Sequence, residues 1–342
     1  MVSRGRSRPV AVWLFAVALL VVAMVVVGGA TRLTGSGLSI TQWKPVSGVL
    51  PPLTAPDWAE MFAKYRATPQ YRRVNLGMSL GDFQFIFWWE WAHRLLGRVV
   101  GVAFAIPFVV FLVIRRLPRR LIWRCAVLLA LGAMQGLVGW WMVRSGLEAR
   151  VSVAPERLAA HLGLALILFS ALIWTGLEAW FGEAGAGARR RDGWTITSGV
   201  LAVGVLLQCL LGALVAGDKA GLVDNDWPLM GGALVPSDYW QGSFWATFAH
   251  GLSAVQFNHR LVAYGLLILG LVTSVVATRS RRVPGAIRGL CVALGVTLTG
   301  QIALGVAALW SGMSLALAIL HQANAAVVLA VAVSLAWRAR RV

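Results

Sequence analysis

Eight stretches of this chain are apolar over about 20 residues or more: 10–29, 84–114, 121–143, 158–181, 194–216, 247–277, 287–309 and 315–337. At about 1.5 Å per residue, such a stretch spans a bilayer core of about 30 Å when helical. In lipid, backbone polar groups must be satisfied within the segment, so helices are the expected form. Charged residues make up 13% of the sequence, about half the share usual in soluble domains. The expected fold is therefore all-α and integral to a membrane, with eight transmembrane helices. The second and sixth runs exceed what the core needs, so those helices tilt or protrude. The basic start before the run at 10–28 resembles a signal peptide. That run is long for one and seven more follow, so it reads as the first span.

The net charge of +18 raises nucleic acid as a partner, but the distribution points elsewhere. Arg4, Arg6 and Arg8 precede the first span. Arg115, Arg116, Arg119 and Arg120 separate the second and third, and Arg189, Arg190 and Arg191 the fourth and fifth. Arg279, Arg281, Arg282 and Arg288 separate the sixth and seventh, and Arg338, Arg340 and Arg341 follow the eighth. Together these are 17 of the 31 basic residues, all on one side of an eight-span chain. The positive-inside rule makes that side cytoplasmic, with both termini there. The expected partner is the lipid bilayer, not nucleic acid. Cys125, Cys209 and Cys291 lie far apart in apolar runs and read as small core residues.

The other side carries two long loops, 30–83 and 217–246, rich in Gly, Pro and Trp. Long loops of this kind are usually functional. Within the first, Asp57 to Arg66 has the pattern of an amphipathic surface helix.

The chain also repeats itself. His93-Arg94-Leu95 recurs as His259-Arg260-Leu261, an offset of 166. Gln135, Gly139, Ser145 and Gly146 recur as Gln301, Gly305, Ser311 and Gly312 at the same offset. Gly37, Leu38, Trp43 and Pro45 resemble Gly221, Leu222, Trp227 and Pro228. His161 matches His321 at offset 160. Spans one to four therefore correspond to spans five to eight, as two pseudo-symmetric four-helix bundles over 1–190 and 191–342. With four spans per repeat, the halves are parallel and their axis runs along the membrane normal.

Four of the five histidines follow this repeat. His93 and His161 belong to one half, His259 and His321 to the other, all towards the outer ends of their spans. Two imidazoles on facing helices can hold one haem iron from both axial sides. A proton relay or an interhelical hydrogen bond is the bland reading of one membrane histidine. Copper or zinc is weakened because each half offers only two histidines and no cysteine or carboxylate cluster to complete a tetrahedron. His250 has no counterpart and reads as an interfacial residue near the start of the sixth span.

Arg94 and Arg260 directly follow histidines. An arginine at membrane depth needs a partner, and haem propionates would provide bidentate carboxylates. Snorkelling to headgroups is the alternative. Arg98 and Arg32 are weaker candidates for the same role. Glu90 shares a helix face with His93, and its counterpart is Gln256, which cannot ionise. A carboxylate beside only one pair suggests chemistry there and electron transfer at the other. The competing reading is a structural bond from Glu90 to an Arg or Trp.

The stretches GGATRLTGSGLSITQWKPVSGVLPPL, WWEWAHRLLGRVVG, ALVAGDKAGLVDNDWPLM, VQFNHRLVAYG and HQANA resemble the haem A synthase family, in its alphaproteobacterial and mitochondrial branch. The first segment and the Glu90-x-x-His93-Arg94 motif are the specific ones. The resemblance implies an oxidoreductase that converts the C8 methyl of haem O to the formyl of haem A, for cytochrome oxidase biogenesis, in a bacterial inner membrane. It implies that His93 and His161 flank the substrate haem, that His259 and His321 ligate a haem b cofactor, and that Glu90 is catalytic. The protohaem farnesyltransferase that makes haem O is the implied upstream partner, and the electron donor is unnamed. The family's Gram-positive branch carries loop cysteine pairs that are missing here. Relatives of this branch tend to have Glu-Asn at Ala249-His250. Two other classes stay open: a diheme, quinol-linked cytochrome b, and a transporter or scaffold with structural histidines.

Overall fold

A computed structural model describes residues 6–45, 47–182 and 192–341. Arg4, Arg189, Arg190 and Arg191, and the expected boundary between halves near 190, lie outside the described residues. Eleven α-helices are present among the described residues: α1 Arg8–Leu33, α2 Ala55–Arg66, α3 Pro69–Arg73, α4 Leu80–Val113, α5 Arg119–Glu148, α6 Pro155–Phe181, α7 Gly193–Asp218, α8 Phe244–His250, α9 Leu252–Arg279, α10 Gly285–Trp310 and α11 Leu315–Ala339. Eight of them, α1, α4, α5, α6, α7, α9, α10 and α11, are long and apolar enough to cross a membrane. The chain is a multi-pass, all-helical membrane protein. Leu19, Val102, Trp123, Ile268 and Val296 are among many large apolar side chains left exposed, as helices facing lipid require.

The helix ends follow local chemistry. Ser79 and Asp82 form a capping box that starts α4, satisfying two otherwise orphaned N–H groups. Thr54 and Asp57 do the same for α2. Pro118 and Pro284 open α5 and α10, again 166 residues apart. Cys125 and Cys291, also 166 apart, are both buried, in keeping with their reading as core residues. The second run is one helix of 34 residues, about 51 Å long at 1.5 Å per residue. The sixth run is not continuous. It breaks at Gly251, whose backbone is extended. A Cβ there would lie 2.9 Å from Gln241 Cγ and 3.0 Å from the Thr247 carbonyl, so glycine lets the chain turn tightly. His250 accordingly ends the short α8 and does not begin the membrane helix α9.

Within the first half, α1 and α5 each pack on both α4 and α6; in the second, α7 and α10 each pack on both α9 and α11. The histidine-bearing helices therefore stand diagonally across each bundle. The halves meet where α6 packs on α7 and α11, and where α1 packs on α11. This pattern is consistent with the expected two-bundle repeat. A core of Val10, Leu14, Leu121, Cys125, Phe169, Leu201, Leu294 and Leu329 runs through both halves. A second cluster, Tyr65, Tyr71, Phe83, Ile86 and Phe87, seats the surface segment on α4. Trp58 lies edge-on to Phe87 at 4.9 Å and Phe62 stacks on Phe83 at 5.0 Å. The two described chain ends lie on one face. Ser7 N–H donates to the Ala179 carbonyl at 2.9 Å, and Arg341 Nη2 to that of Gly182 at 2.8 Å.

Candidate haem-binding site

Each of the four repeated histidines lies over a glycine of a neighbouring helix. A Cβ at Gly28 on α1 would come within 3.2 Å of His93 Nε2, and one at Gly139 on α5 within 2.9 Å of His161 Cε1. In the second half, Gly212 on α7 and Gly305 on α10 place the same demand on His259 and His321, at 3.1 and 2.9 Å to Cε1. Only the missing side chain lets the imidazole lie flat against the helix backbone. His93 on α4 and His161 on α6 stand on diagonal helices of the first bundle, and His259 on α9 and His321 on α11 on those of the second.

Glutamines complete three of these frames. Gln135 Nε2 donates to the His161 carbonyl at 2.9 Å and lies 3.2 Å from His161 Nδ1. Gln208 Nε2 does the same to His259, at 2.8 and 3.0 Å. Gln301 Nε2 donates to the His321 carbonyl at 3.0 Å, and its own backbone carbonyl lies 3.1 Å from His321 Nδ1. Asn324 Nδ2 in turn donates to Gln301 Oε1 at 2.8 Å. Gln135 Oε1 and Gln208 Oε1 are buried without a hydrogen-bond partner. Iron on Nε2 leaves the proton on Nδ1, which then needs an acceptor. At His321 the Gln301 carbonyl, 3.1 Å from Nδ1, is such an acceptor. Among the described residues, no three His, Cys, Asp or Glu gather around one point; axial haem ligation asks for only two. The residues present fit haem.

The arginines following the histidines have protein partners. Arg94 donates to Glu90 Oε1 from Nε and Nη2 at 3.1 and 2.7 Å, and to the carbonyls of Gln42 and Ile40 at 2.8 and 2.7 Å. Glu90, 3% exposed, receives Ser39 Oγ and Ile40 N–H on its other oxygen, at 2.8 and 2.7 Å. Arg260 repeats the design: it donates to the carbonyls of Asp224, Asp226 and Leu229 and, at 2.7 Å, to Gln256 Oε1. Gln256 Nε2 donates to the Ala220 carbonyl at 2.8 Å. In both halves the pair ties an outer loop to the helix carrying the histidine. Arg98 donates to the carbonyls of Lys44 and Pro45, yet its Nη1 is buried without an acceptor. Arg32 Nη2 lies 3.4 Å from the Gly217 carbonyl, at the seam between halves. His250 Nδ1 faces Asp218 Oδ1 at 3.9 Å, outside both histidine frames.

In the second loop, the Asp226 carboxylate receives the N–H groups of Gly231 and Gly232, both at 3.0 Å. Those bonds, with the nearby Arg260, hold its carboxyl below the usual range.

Gly28, Gly212 and Gln208 were not singled out from the sequence. The signal was available: Gln135-Gly139, Gln208-Gly212 and Gln301-Gly305 share one spacing, in three separate apolar runs.

Residues 11–333 match the cytochrome oxidase assembly protein family. A heme A synthase of a Caulobacter species is 59% identical over 337 residues, covering 98% of this chain and 97% of the relative. The heme A synthase of Caulobacter vibrioides is 56% identical, with the same coverage. That of Parvibaculum lavamentivorans is 46% identical over 98% of this chain and 95% of its own length. With two histidine pairs framed alike in repeated bundles and likeness along its whole length, the chain belongs to the cytochrome oxidase assembly protein family, among relatives named heme A synthase.

Proposed function

We propose that this chain is a haem A synthase of the bacterial inner membrane, with both termini cytoplasmic. It oxidises the C8 methyl of haem O to a formyl. Residues 1–190 receive the substrate between His93 and His161, and residues 191–342 hold a haem b between His259 and His321. The observation that carries this is the doubled frame: two diagonal histidine pairs, each ring laid on a glycine, in a chain of this family. When bound, haem b supplies one-electron transfer from an external donor.

This chain's own side chains bind, orient and exclude water. The Glu90–Arg94 pair closes the loop around Ser39 to Gln42 over the outer end of α4, which keeps the substrate half dry. Each of two hydroxylations is a two-electron oxidation that puts one oxygen atom on the methyl carbon, with oxidant and oxygen supplied from outside this chain, and the resulting gem-diol loses water to leave the formyl. Glu90 is the catalytic carboxylate, beside the substrate pair and absent from the other half. Arg94 and Arg260 remain candidates for the propionates. Arg98, with a buried nitrogen that lacks an acceptor, is the better-placed donor in the first half. The insolubility of haem O favours direct handover from the farnesyltransferase that makes it.

Co-expression with a haem O source, followed by haem extraction and mass analysis, tests the reading. The expected result is one haem b with haem O or haem A per chain. His259→Ala or His321→Ala is expected to remove the haem b. The likeness of the four frames favours one other reading, a diheme cytochrome b; two b haems and no haem O or A under any expression condition would establish it instead.

A further inference from the structure

The four histidine frames differ in one position. On α5, α7 and α10 the glycine under the imidazole follows a glutamine by four residues, so both share a helix face. Each glutamine grips the histidine carbonyl, at 2.8 to 3.0 Å. On α1 the glycine is Gly28 and the residue four before it is Met24. A thioether offers no N–H. Met24 instead points its Cε at Gly97, 3.1 Å from where a Cβ would stand, one turn beyond His93. Among the described residues, no side chain hydrogen-bonds to His93, whereas His161, His259 and His321 are each held.

We propose that Met24 makes His93 the releasable axial ligand. The haem of the first half enters and leaves by letting go of His93, while His161 remains fixed by Gln135. This rests on the reading of the first half as the substrate site. Partners behind a metal-bound histidine orient the ring, and their loss typically weakens metal binding about 10- to 100-fold. An enzyme whose substrate and product are both haems must exchange that haem at every turnover, and must not exchange its cofactor. The distribution matches: both ligands are gripped in the cofactor half, and one of two in the substrate half. Met24 thus acts as a positioning residue, by what it withholds.

The experiment uses the full chain purified in detergent, loaded with haem O or haem A. Haem transfer to excess apomyoglobin is followed by the Soret band, and the transferred haem is identified by mass. Met24→Gln is expected to slow release of haem O or A about tenfold or more, and to raise the low-spin, bis-histidine fraction in the electron paramagnetic resonance spectrum. Haem b stays at one per chain. An unchanged release rate in a variant that keeps its haem b overturns the inference. Equal slowing by Met24→Leu, which adds no donor, overturns it as well. Should Met24→Gln lose its haem b and so report misfolding, Gln208→Met decides: haem b is expected to leave about tenfold faster, and an unchanged rate refutes the inference. Failure of the underlying reading looks different, since mass analysis would then find haem b in both halves.

Discussion

Gly305→Ala offers a direct test of the glycine frames, with Gly300→Ala on the same helix as its control. A Cβ at Gly305 would stand 2.9 Å from His321 Cε1 and 3.3 Å from Nδ1; at Gly300 it would meet nothing within 4 Å. Carbon atoms settle at about 3.5 to 4.0 Å, so the ring must retreat by about 0.6 Å or more. The bond between His321 Nδ1 and the Gln301 carbonyl is already 3.1 Å long and would be lost. Its loss costs about 1 kcal/mol, and overpacking about 1 to 3 kcal/mol. Together they weaken haem binding about 30- to 1000-fold, at 1.4 kcal/mol per factor of ten. Without haem, the imidazole can rotate away, and both alanines gain about 1 kcal/mol of helix preference. Both haem-free variants should therefore melt at or above the wild-type temperature. The pyridine haemochrome per chain, and the rate of haem b transfer to apomyoglobin, provide the assay. If Gly305→Ala keeps and releases haem b as Gly300→Ala does, the frame has no part in ligation and the argument from it fails.

Further outcomes follow from the loops and the seam between halves. Glu90→Ala strands Arg94 and frees Ser39 and Ile40, at a cost of about 3 kcal/mol on the scale of broken buried pairs; haem b should stay, haem A should vanish, and proteolysis should open the 39–44 loop. Glu90→Gln keeps an oxygen for Arg94 but sets its Nε2 against the Ile40 N–H that Oε2 now receives at 2.7 Å, so the loop should loosen less than in Glu90→Ala while haem A is still not made; normal haem A from it would refute a catalytic carboxylate. Asp226, lowered by the glycine N–H groups, stabilises its loop fully above pH 3.8, its ordinary value, and loses that contribution as pH falls through the depressed one. Limited proteolysis of the 226–232 turn should be steady from pH 7 to 5 and rise for Asp226→Asn at every pH in that range. Gly29→Ala would set a Cβ 2.1 Å from Gln322 Oε1, displacing a side chain that donates to the Val25 carbonyl at 2.8 Å; thermal unfolding should show a loss of about 1 to 3 kcal/mol where α1 meets α11.

The spans were legible because lipid leaves the backbone few choices, and run length alone reports a crossing helix. The break at Gly251 was not legible from the run's apolarity. Its cause is the tight local turn after α8, where Gln241 and the Thr247 carbonyl crowd the Cβ position of Gly251. The recurrence of the histidines was readable because duplication wrote it twice. The fate of Arg94 and Arg260 was not, because their acceptors are mainly backbone carbonyls of loops, and carbonyls leave no mark in a sequence. Glu90 stood out by contrast with Gln256, and the structure shows it as one partner of an ion pair with Arg94 that shapes the loop.

The repeat and its exceptions carry different information. Positions that match across the halves, such as Pro118 with Pro284, Cys125 with Cys291 and Gly139 with Gly305, are those that start a helix, fill a core or seat a ring. They describe what any bis-histidine bundle of this design needs. Positions that differ gather around one pair. Met24 stands where Gln208 does opposite, Glu90 where Gln256 does, and Arg98, with its unpartnered nitrogen, where Tyr264 does. In the second half, Tyr264 accepts the Trp227 N–H at 2.8 Å and closes its corner. One half therefore has both histidines gripped, which suits a resident group. The other keeps a charge, a spare donor and an ungripped ligand, which suits a molecule that arrives, reacts and departs. A duplicated fold needs only a few such substitutions to turn one of two equivalent sites into a reaction chamber, because the matching residues already provide the frame.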